Sequence, residues 1–264
     1  MPTISIGDAD IYYEEKGQGA PLMLVPGLSG TGSFFISQVP EFSRSFRTII
    51  HDHRGAGRSI HSRITYSIEQ MADDTLRLMD ALGIESTHLV GHSTGGAIGQ
   101  AIATEHPERL QSLVLSATWA GPDPYFRRMF ESRKQTLLDS GVAAYLRASS
   151  LVQTTPRWVS ENDEFLTELH RVTAEGCPPV EVMASRIDAI LGHDRRSRLL
   201  QIHVPTLVIV ARDDMITPQF YSEELASAIP GAKLIVLETG GHFCPTIHSA
   251  AYNAAVGAFL RALR

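Results

Sequence analysis

One run of residues, Leu89-Val90-Gly91-His92-Ser93-Thr94-Gly95-Gly96-Ala97, constrains the fold of this chain more than any other. It reads as the end of an apolar strand, a sharp turn with a serine at its tip, and the start of a helix. Gly91 and Gly95 bracket Ser93 in a G-x-S-x-G spacing. A serine held at so tight a turn has a strained backbone, and the residues two before and two after it must be small or they collide with strand and helix. The turn also puts Ser93 at a helix N-terminus, where the free N–H of Thr94 can stabilise an oxyanion. The flanks agree: residues 86–90 are β-like, residues 96–106 are small and helix-compatible, and Pro107 ends the run. For the pentapeptide alone, the plainer alternative is a glycine-rich turn with a capping serine.

The rest of the chain repeats the strand–helix alternation. Residues 3–6 and 11–15 pair as a hairpin around Gly7-Asp8-Ala9-Asp10, and residues 22–25 and 46–51 are short buried strands. Ser67 with Gln70 forms a capping box for a helix that Gly83 stops. Strands follow at 110–115, 206–210 and 233–237, with a closing helix from about Ser249. This pattern predicts an α/β fold, a mostly parallel twisted sheet with helices on both faces. Between Gly121 and about Leu200 there is helical pattern and no strand, with helices expected at 124–140, 142–150, 161–175 and 179–192, punctuated by Gly141, Pro156 and Pro178-Pro179. Four consecutive helices are too many for one crossover. The expected organisation is a core of residues 1–120 and 201–264 carrying an inserted helical cap at 121–200.

Composition excludes several function classes. The chain has 264 residues, 43% hydrophobic, and a net charge of −6. That length buries a substantial core, and the mild acidity speaks against a nucleic-acid partner. The densest basic run, Arg195-Arg196-Ser197-Arg198, reads as a solvated helix end. No apolar run approaches the ~20 residues of a membrane span, and the N-terminus lacks a basic start and an apolar signal core. Cys177 and Cys244 are the only cysteines and form no disulfide framework. The expectation is a cytoplasmic protein with free thiols, acting on a small molecule without nucleic acid or membrane; a homodimer is compatible with the chain.

A serine hydroxyl needs a base to take its proton, and the base needs an acid to fix its tautomer. On such an elbow the chain order is serine, acid, histidine. Asp213-Asp214 follow the strand 206–210, and Gly240-Gly241-His242 follow the strand 233–237. Carboxyl ends of parallel strands are where sites form in open α/β sheets. Singly, each has a plain reading: a helix-capping turn for the aspartates, a surface loop for His242. Jointly, and in this order, they point to a catalytic set. A second oxyanion donor is expected from the loop after Val25, where Pro26-Gly27-Leu28-Ser29-Gly30 is small enough for close approach; Leu28 is the candidate amide. Among His51, His53, His61 and His92, no set has ligand spacing, so no metal is expected. Trp119 and Trp158 are candidates for substrate contact, together with Phe126 and Met183, although core packing is the commoner role of such residues.

Together these residues resemble the α/β-hydrolase superfamily along essentially the whole chain. Asp52-His53-Arg54-Gly55-Ala56-Gly57-Arg58-Ser59 looks like that family's loop after its fourth strand, which implies structural roles for Asp52 and Arg54. His106-Pro107-Glu108-Arg109-Leu110 looks like its link out of the elbow helix. The usual histidine-glycine of the oxyanion loop is Pro26-Gly27 here, a change of side chain that leaves the amide donors. The segments 95–100 and 113–115 are similar to 3-oxoadipate enol-lactonases. Arg127-Arg128-Met129-Phe130, Pro156-Arg157-Trp158, Ala211-Arg212-Asp213-Asp214 and Gly240-Gly241-His242-Phe243-Cys244 resemble aminoacrylate hydrolases. The resemblance implies a cofactor-independent serine hydrolase for a small carboxylic ester, lactone or related C–N bond. Ser93 would be the nucleophile, His242 the base, and Asp214, four residues before Pro218, the acid. Leu28 and Thr94 would hold the oxyanion. C–C bond hydrolases, perhydrolases and small-molecule receptors share the fold and stay open as alternatives.

Overall fold

In the computed structural model, which describes residues 3–263, eight strands form one sheet. They are β1 (Thr3–Ser5), β2 (Asp10–Lys16), β3 (Pro21–Val25), β4 (Arg47–His51), β5 (Thr87–His92), β6 (Leu110–Ser116), β7 (Thr206–Ala211) and β8 (Lys233–Leu237), in the order β1-β2-β4-β3-β5-β6-β7-β8. β1, β2 and β4 pair antiparallel, and the remaining pairs are parallel. Ten helices accompany them among the described residues: α1 (Val39–Phe42), α2 (Ile68–Ala81), α3 (Thr94–Glu105), α4 (Pro124–Gln153), α5 (Pro156–Glu161), α6 (Asp163–Glu175), α7 (Val180–Gly192), α8 (Gln219–Ala228), α9 (Cys244–Ile247) and α10 (Ser249–Arg261). Met1, Pro2 and Arg264, the ends of the expected core segments, lie outside the described residues.

The sheet is covered on both faces, which is why its central strands read as unbroken apolar runs. Every residue of β5 and β7 is buried. Alternate residues of one strand enter opposite layers. Met23, Val25, Leu89, Leu113, Leu115 and Val208 pack in the layer under α2, α3, α4 and α7. Their neighbours Leu22, Leu24, Val90, Val114, Leu207 and Ile209 pack against Phe35, Phe42 and the Tyr252, Val256 and Leu260 face of α10. The central β5 lies between β3 and β6, so its carboxyl end, where Ser93 follows, sits at the middle of the sheet edge.

Most local expectations hold, with instructive departures. Ser67 caps α2 by accepting from the Gln70 amide at 3.1 Å, but the Gln70 side chain turns to Asp74 rather than back to the cap. The helices expected at 124–140 and 142–150 are the two arms of α4, which kinks at Gly141 (φ 77°, ψ −179°). Pro156 starts a helix instead of only ending one. It occupies the first turn of α5, where its missing N–H costs nothing, and Thr155 caps that turn. The basic run at 195–198 is not a solvated helix end. Arg195 is 5% exposed and joins Glu69 of α2 to Glu105 of α3, while Arg196 pairs with Asp194 and with Glu224 of α8. These ion pairs tie the chain leaving α7 back onto the sheet layer. Asp52 accepts from the amides of Gly32 and Arg58, and Arg54 pairs with Asp74 and Asp8, both structural arrangements.

Candidate active site

Ser93 stands between β5 and α3 with φ 54° and ψ −116°, a left-handed backbone that a serine rarely adopts. The conformation is held on both sides. The Ser93 amide donates to the Ser116 carbonyl at 2.8 Å, and the Ser93 carbonyl accepts from the Thr118 hydroxyl at 2.8 Å and the Gly96 amide at 2.9 Å. The two bracketing glycines are sterically required. A Cβ on Gly91 would strike the Gly95 carbonyl, and one on Gly95 would strike the carbonyl of Val25.

Asp214 and His242 meet at the ends of β7 and β8. His242 Nδ1 lies 2.8 Å from Asp214 Oδ2. Asp214 is buried, and its other oxygen accepts from the amides of Ile216 at 2.8 Å and Thr217 at 2.9 Å. The Thr217 hydroxyl donates to Oδ2 at 2.9 Å. With so many donors the carboxylate is fixed in orientation, and an Nδ1–H donated to it leaves Nε2 of His242 free to accept. Asp213 is exposed to solvent and caps no helix. Its carboxylate accepts from the Thr239 hydroxyl at 2.5 Å and the Gly241 amide at 2.8 Å, bracing the loop that carries His242. Behind His242 sits His92, buried, stacked on Phe34 at 4.6 Å and 4.9 Å from the His242 ring. Burial, and secondarily the neighbouring His242, hold the His92 imidazole well below the usual histidine range.

Ser93, His242, Leu28 and Gly27 line one cavity of about 310 Å³ between the strand ends and the helices α4 and α7. Thr94 opens α3, so its amide is one of the first-turn donors that a helix leaves without an internal acceptor. Phe130, Arg133, Tyr145 and Gln153 of α4 and Met183, Arg186 and Ile187 of α7 close the other side. The lining contains two arginines and, among the described residues, no aspartate or glutamate. Arg133 donates to the Tyr145 hydroxyl at 3.0 Å and the Ser149 hydroxyl at 3.1 Å, and its Nε has no partner among the described residues.

Neither tryptophan reaches this cavity. Trp119 is fully buried in the core, 4.6 Å from the Phe126 ring, because it leaves β6 on the side where α4 packs. Trp158 sits on α5 with its ring edge-on to Phe165. Of the aromatic and apolar candidates on the helices, Met183 alone lines the cavity. Among the described residues no group of three or more histidine, cysteine, aspartate or glutamate side chains is placed to hold a metal ion, and no helix is long and apolar enough to cross a membrane.

A family model for the alpha/beta hydrolase fold matches residues 20–245, from β3 past the His242 loop. The chain belongs to that family. It is a hydrolase of the α/β-hydrolase superfamily, as its relatives are. It is similar to "Putative carbamate hydrolase RutD" of Azorhizobium caulinodans, with 39% identity over 96% of each chain. To the protein of the same name from Caulobacter vibrioides it is 37% identical, over 98% of this chain and 99% of that one. Among solved structures, the enol-lactonase from Burkholderia xenovorans LB400 superposes with a TM-score of 0.91 at 28% identity, covering 98% of this chain and 100% of that one. Est816, an N-acyl homoserine lactone degrading enzyme, gives 0.85 at 26%, covering 98% and 100%.

Arg133, Tyr145 and Arg186 escaped the reading of the hydrolase's sequence, yet two of them carried a signal. Phe126, Phe130, Arg133 and Leu137 fall at helical spacing on one stripe of α4, as Val182, Arg186 and Ile190 do on α7. An arginine interrupting an apolar stripe is costly to bury unless it serves something.

Proposed function

We propose that this hydrolase cleaves a small carboxylic ester, lactone or carbamate-like C–N substrate through an acyl-enzyme on Ser93. The observation that carries the reading is the strained Ser93 sharing one cavity with a His242 whose Nδ1 is bonded to Asp214. In this mechanism Ser93 Oγ attacks the carbonyl carbon while its proton passes to His242 Nε2. The amides of Leu28 and Thr94 receive the oxyanion. The tetrahedral adduct then collapses, and the leaving alkoxide or amine departs with the proton from His242. A water, deprotonated by the same Nε2, attacks the acyl-serine and releases the acid. No cofactor takes part.

Helices α4 to α7 act as a cap over the site, within residues 121–200. The cation-only lining supports a substrate bearing negative charge, with Arg133 as its partner. The names of the relatives, carbamate hydrolase and enol-lactonase, support acyl chemistry on small molecules. The test is turnover of p-nitrophenyl acetate and of a lactone panel by the wild type and Ser93→Ala. Loss of roughly 10³–10⁶ in kcat is expected, by analogy with measured triads. Unchanged turnover by pure Ser93→Ala would remove the serine from the mechanism.

A further inference from the structure

Arg186 is among the largest fully buried side chains of the protein, 2% exposed in the middle of α7, and among the described residues it has no carboxylate partner. Its guanidinium donates instead to main chain and to an imidazole. Nη1 meets the Arg54 carbonyl at 2.8 Å, and Nη2 meets the Leu28 carbonyl at 3.1 Å and His53 Nδ1 at 3.1 Å. The face of Tyr66 lies 5.6 Å away. Two loops are therefore gathered by one side chain, the loop after β3 and the loop after β4, and the same side chain lines the cavity beside Leu28 and Ser93.

A buried cation without a counter-ion is expensive, and an apolar side chain of similar volume is ordinarily the more stable choice. Burial alone pushes the Arg186 pKa down, to about 10, so the group stays charged at neutral pH. The loop it holds is shaped around it. Gly30 has φ 74°, and a Cβ there would come within 2.7 Å of Arg186 Nη2. The Gly30 amide closes a turn onto the Gly27 carbonyl at 2.9 Å, and the Gly30 carbonyl accepts from the His53 amide at 2.7 Å. The Leu28 N–H shares its peptide plane with the Gly27 carbonyl, which the Gly30 amide holds, and the Leu28 carbonyl of the next plane is held by Arg186, so the two bonds together restrain the turn that presents this N–H.

We infer that Arg186 is a positioning residue for the oxyanion site: a guanidinium supplied by the helices between β6 and β7 braces the turn that presents the Leu28 N–H and adds positive potential where the oxyanion forms. The inference rests on the proposed role of the Leu28 amide. It means that these helices do more than enclose substrate, because one of them completes the site on the sheet side. Preorganised donors and charge act on the transition state rather than on the bound substrate, so their loss appears in kcat.

The experiment compares wild type, Arg186→Met, Arg186→Lys and Ser93→Ala on p-nitrophenyl acetate, which is neutral, and on mono-p-nitrophenyl glutarate, which is anionic. Binding of phenylboronic acid, which forms a tetrahedral adduct on serine, is measured alongside, and thermal melts check folding. Arg186→Met is expected to lose about 10- to 100-fold in kcat on both esters, with KM nearly unchanged and boronate binding weakened in parallel. Arg186→Lys keeps the charge but cannot span both carbonyls, so it should recover part of kcat. It also serves where the Met variant does not fold, since a several-fold loss in its kcat is then the expected result. Wild-type kcat in a folded Arg186→Met or Arg186→Lys protein overturns the inference. So does a rise in KM confined to the anionic ester, which would make Arg186 a substrate-binding group. If Ser93→Ala also keeps its activity, the proposed function fails; if only the Arg186 variants do, the function stands and the positioning role falls.

Discussion

The two sides of the cavity are built on different principles. On the sheet side, Ser93, Asp214 and His242 each follow the carboxyl end of a parallel strand, and backbone geometry fixes them: a left-handed serine, a carboxylate held by two amides, a histidine on a glycine loop. On the helical side, Arg133, Tyr145 and Arg186 reach in from α4 and α7, and their placement depends on which helix face packs inward. The difference teaches where each kind of function resides. Strand ends position reacting atoms to a fraction of an ångström, whereas helix faces tune what the site accepts and how well it is held.

The largest expected effect lies on the sheet side. His242→Ala should lose roughly 10³–10⁶ in kcat, and the Ser93→Ala, His242→Ala double variant should be little worse than either single one. Losses that multiply in the double variant would show that the two residues act separately.

Next comes the aspartate pair. Asp214→Asn should cost about 10²–10⁴ in kcat by leaving His242 in the wrong tautomer. Asp213→Asn keeps one acceptor oxygen for the Gly241 amide, while the Thr239 hydroxyl can turn to accept from the new NH2, so it should cost less than about tenfold. Steady-state kinetics of both variants on one activated ester decides between them. A crippled Asp213→Asn beside an active Asp214→Asn would invert the roles assigned here.

On the helical side the expected change is in binding. Arg133→Ala should raise KM for an anionic ester by about 10- to 100-fold, the worth of one charge-assisted hydrogen bond, while kinetics on p-nitrophenyl acetate stay near wild type. An equal loss on both esters would place Arg133 in the chemistry and blur the contrast between the two sides.

The smallest effect at neutral pH, and a growing one below it, concerns stability. Burial holds His51 and His193 down to about 4, and His53 and His92 well below the usual histidine range. In the unfolded chain these imidazoles titrate near 6.5. Between pH 6.5 and 4 the unfolded chain therefore binds more protons than the folded one, so stability falls as pH drops through that window. Unfolding at pH 5 should take up roughly three to four protons. Urea midpoints at pH 7 and pH 5 measure this, and an unchanged midpoint contradicts the neutral, buried state of these histidines. Three of the four belong to the sheet side.

What the sequence made legible follows the same division. The elbow could be read because steric demands at Gly91 and Gly95 leave few alternatives, and the strands could be read because a doubly covered sheet writes itself as apolar runs. Asp214 and His242 stood at strand ends in the required order. The loop-bracing bonds of Asp213 were not legible because its partners, Thr239 and Gly241, are distant in sequence and meet it only when β7 and β8 lie side by side. The tryptophans were misplaced for a related reason. An aromatic residue is equally at home in core and cavity, and for Trp119, in the loop after β6, packing against Phe126 decided it. The long-range ion pairs of Arg195 and Arg196 were invisible for want of any local signal.

The central claim is that the elbow serine is the nucleophile and that the His242–Asp214 pair activates it. Its most direct test is labelling with a fluorophosphonate, which phosphonylates an activated serine, followed by peptide mass spectrometry. The account predicts a single adduct on the peptide containing Ser93, complete loss of ester hydrolysis on labelling, no adduct in Ser93→Ala, and much slower labelling in His242→Ala. An adduct on another residue, or full hydrolytic activity in protein labelled at Ser93, would contradict it.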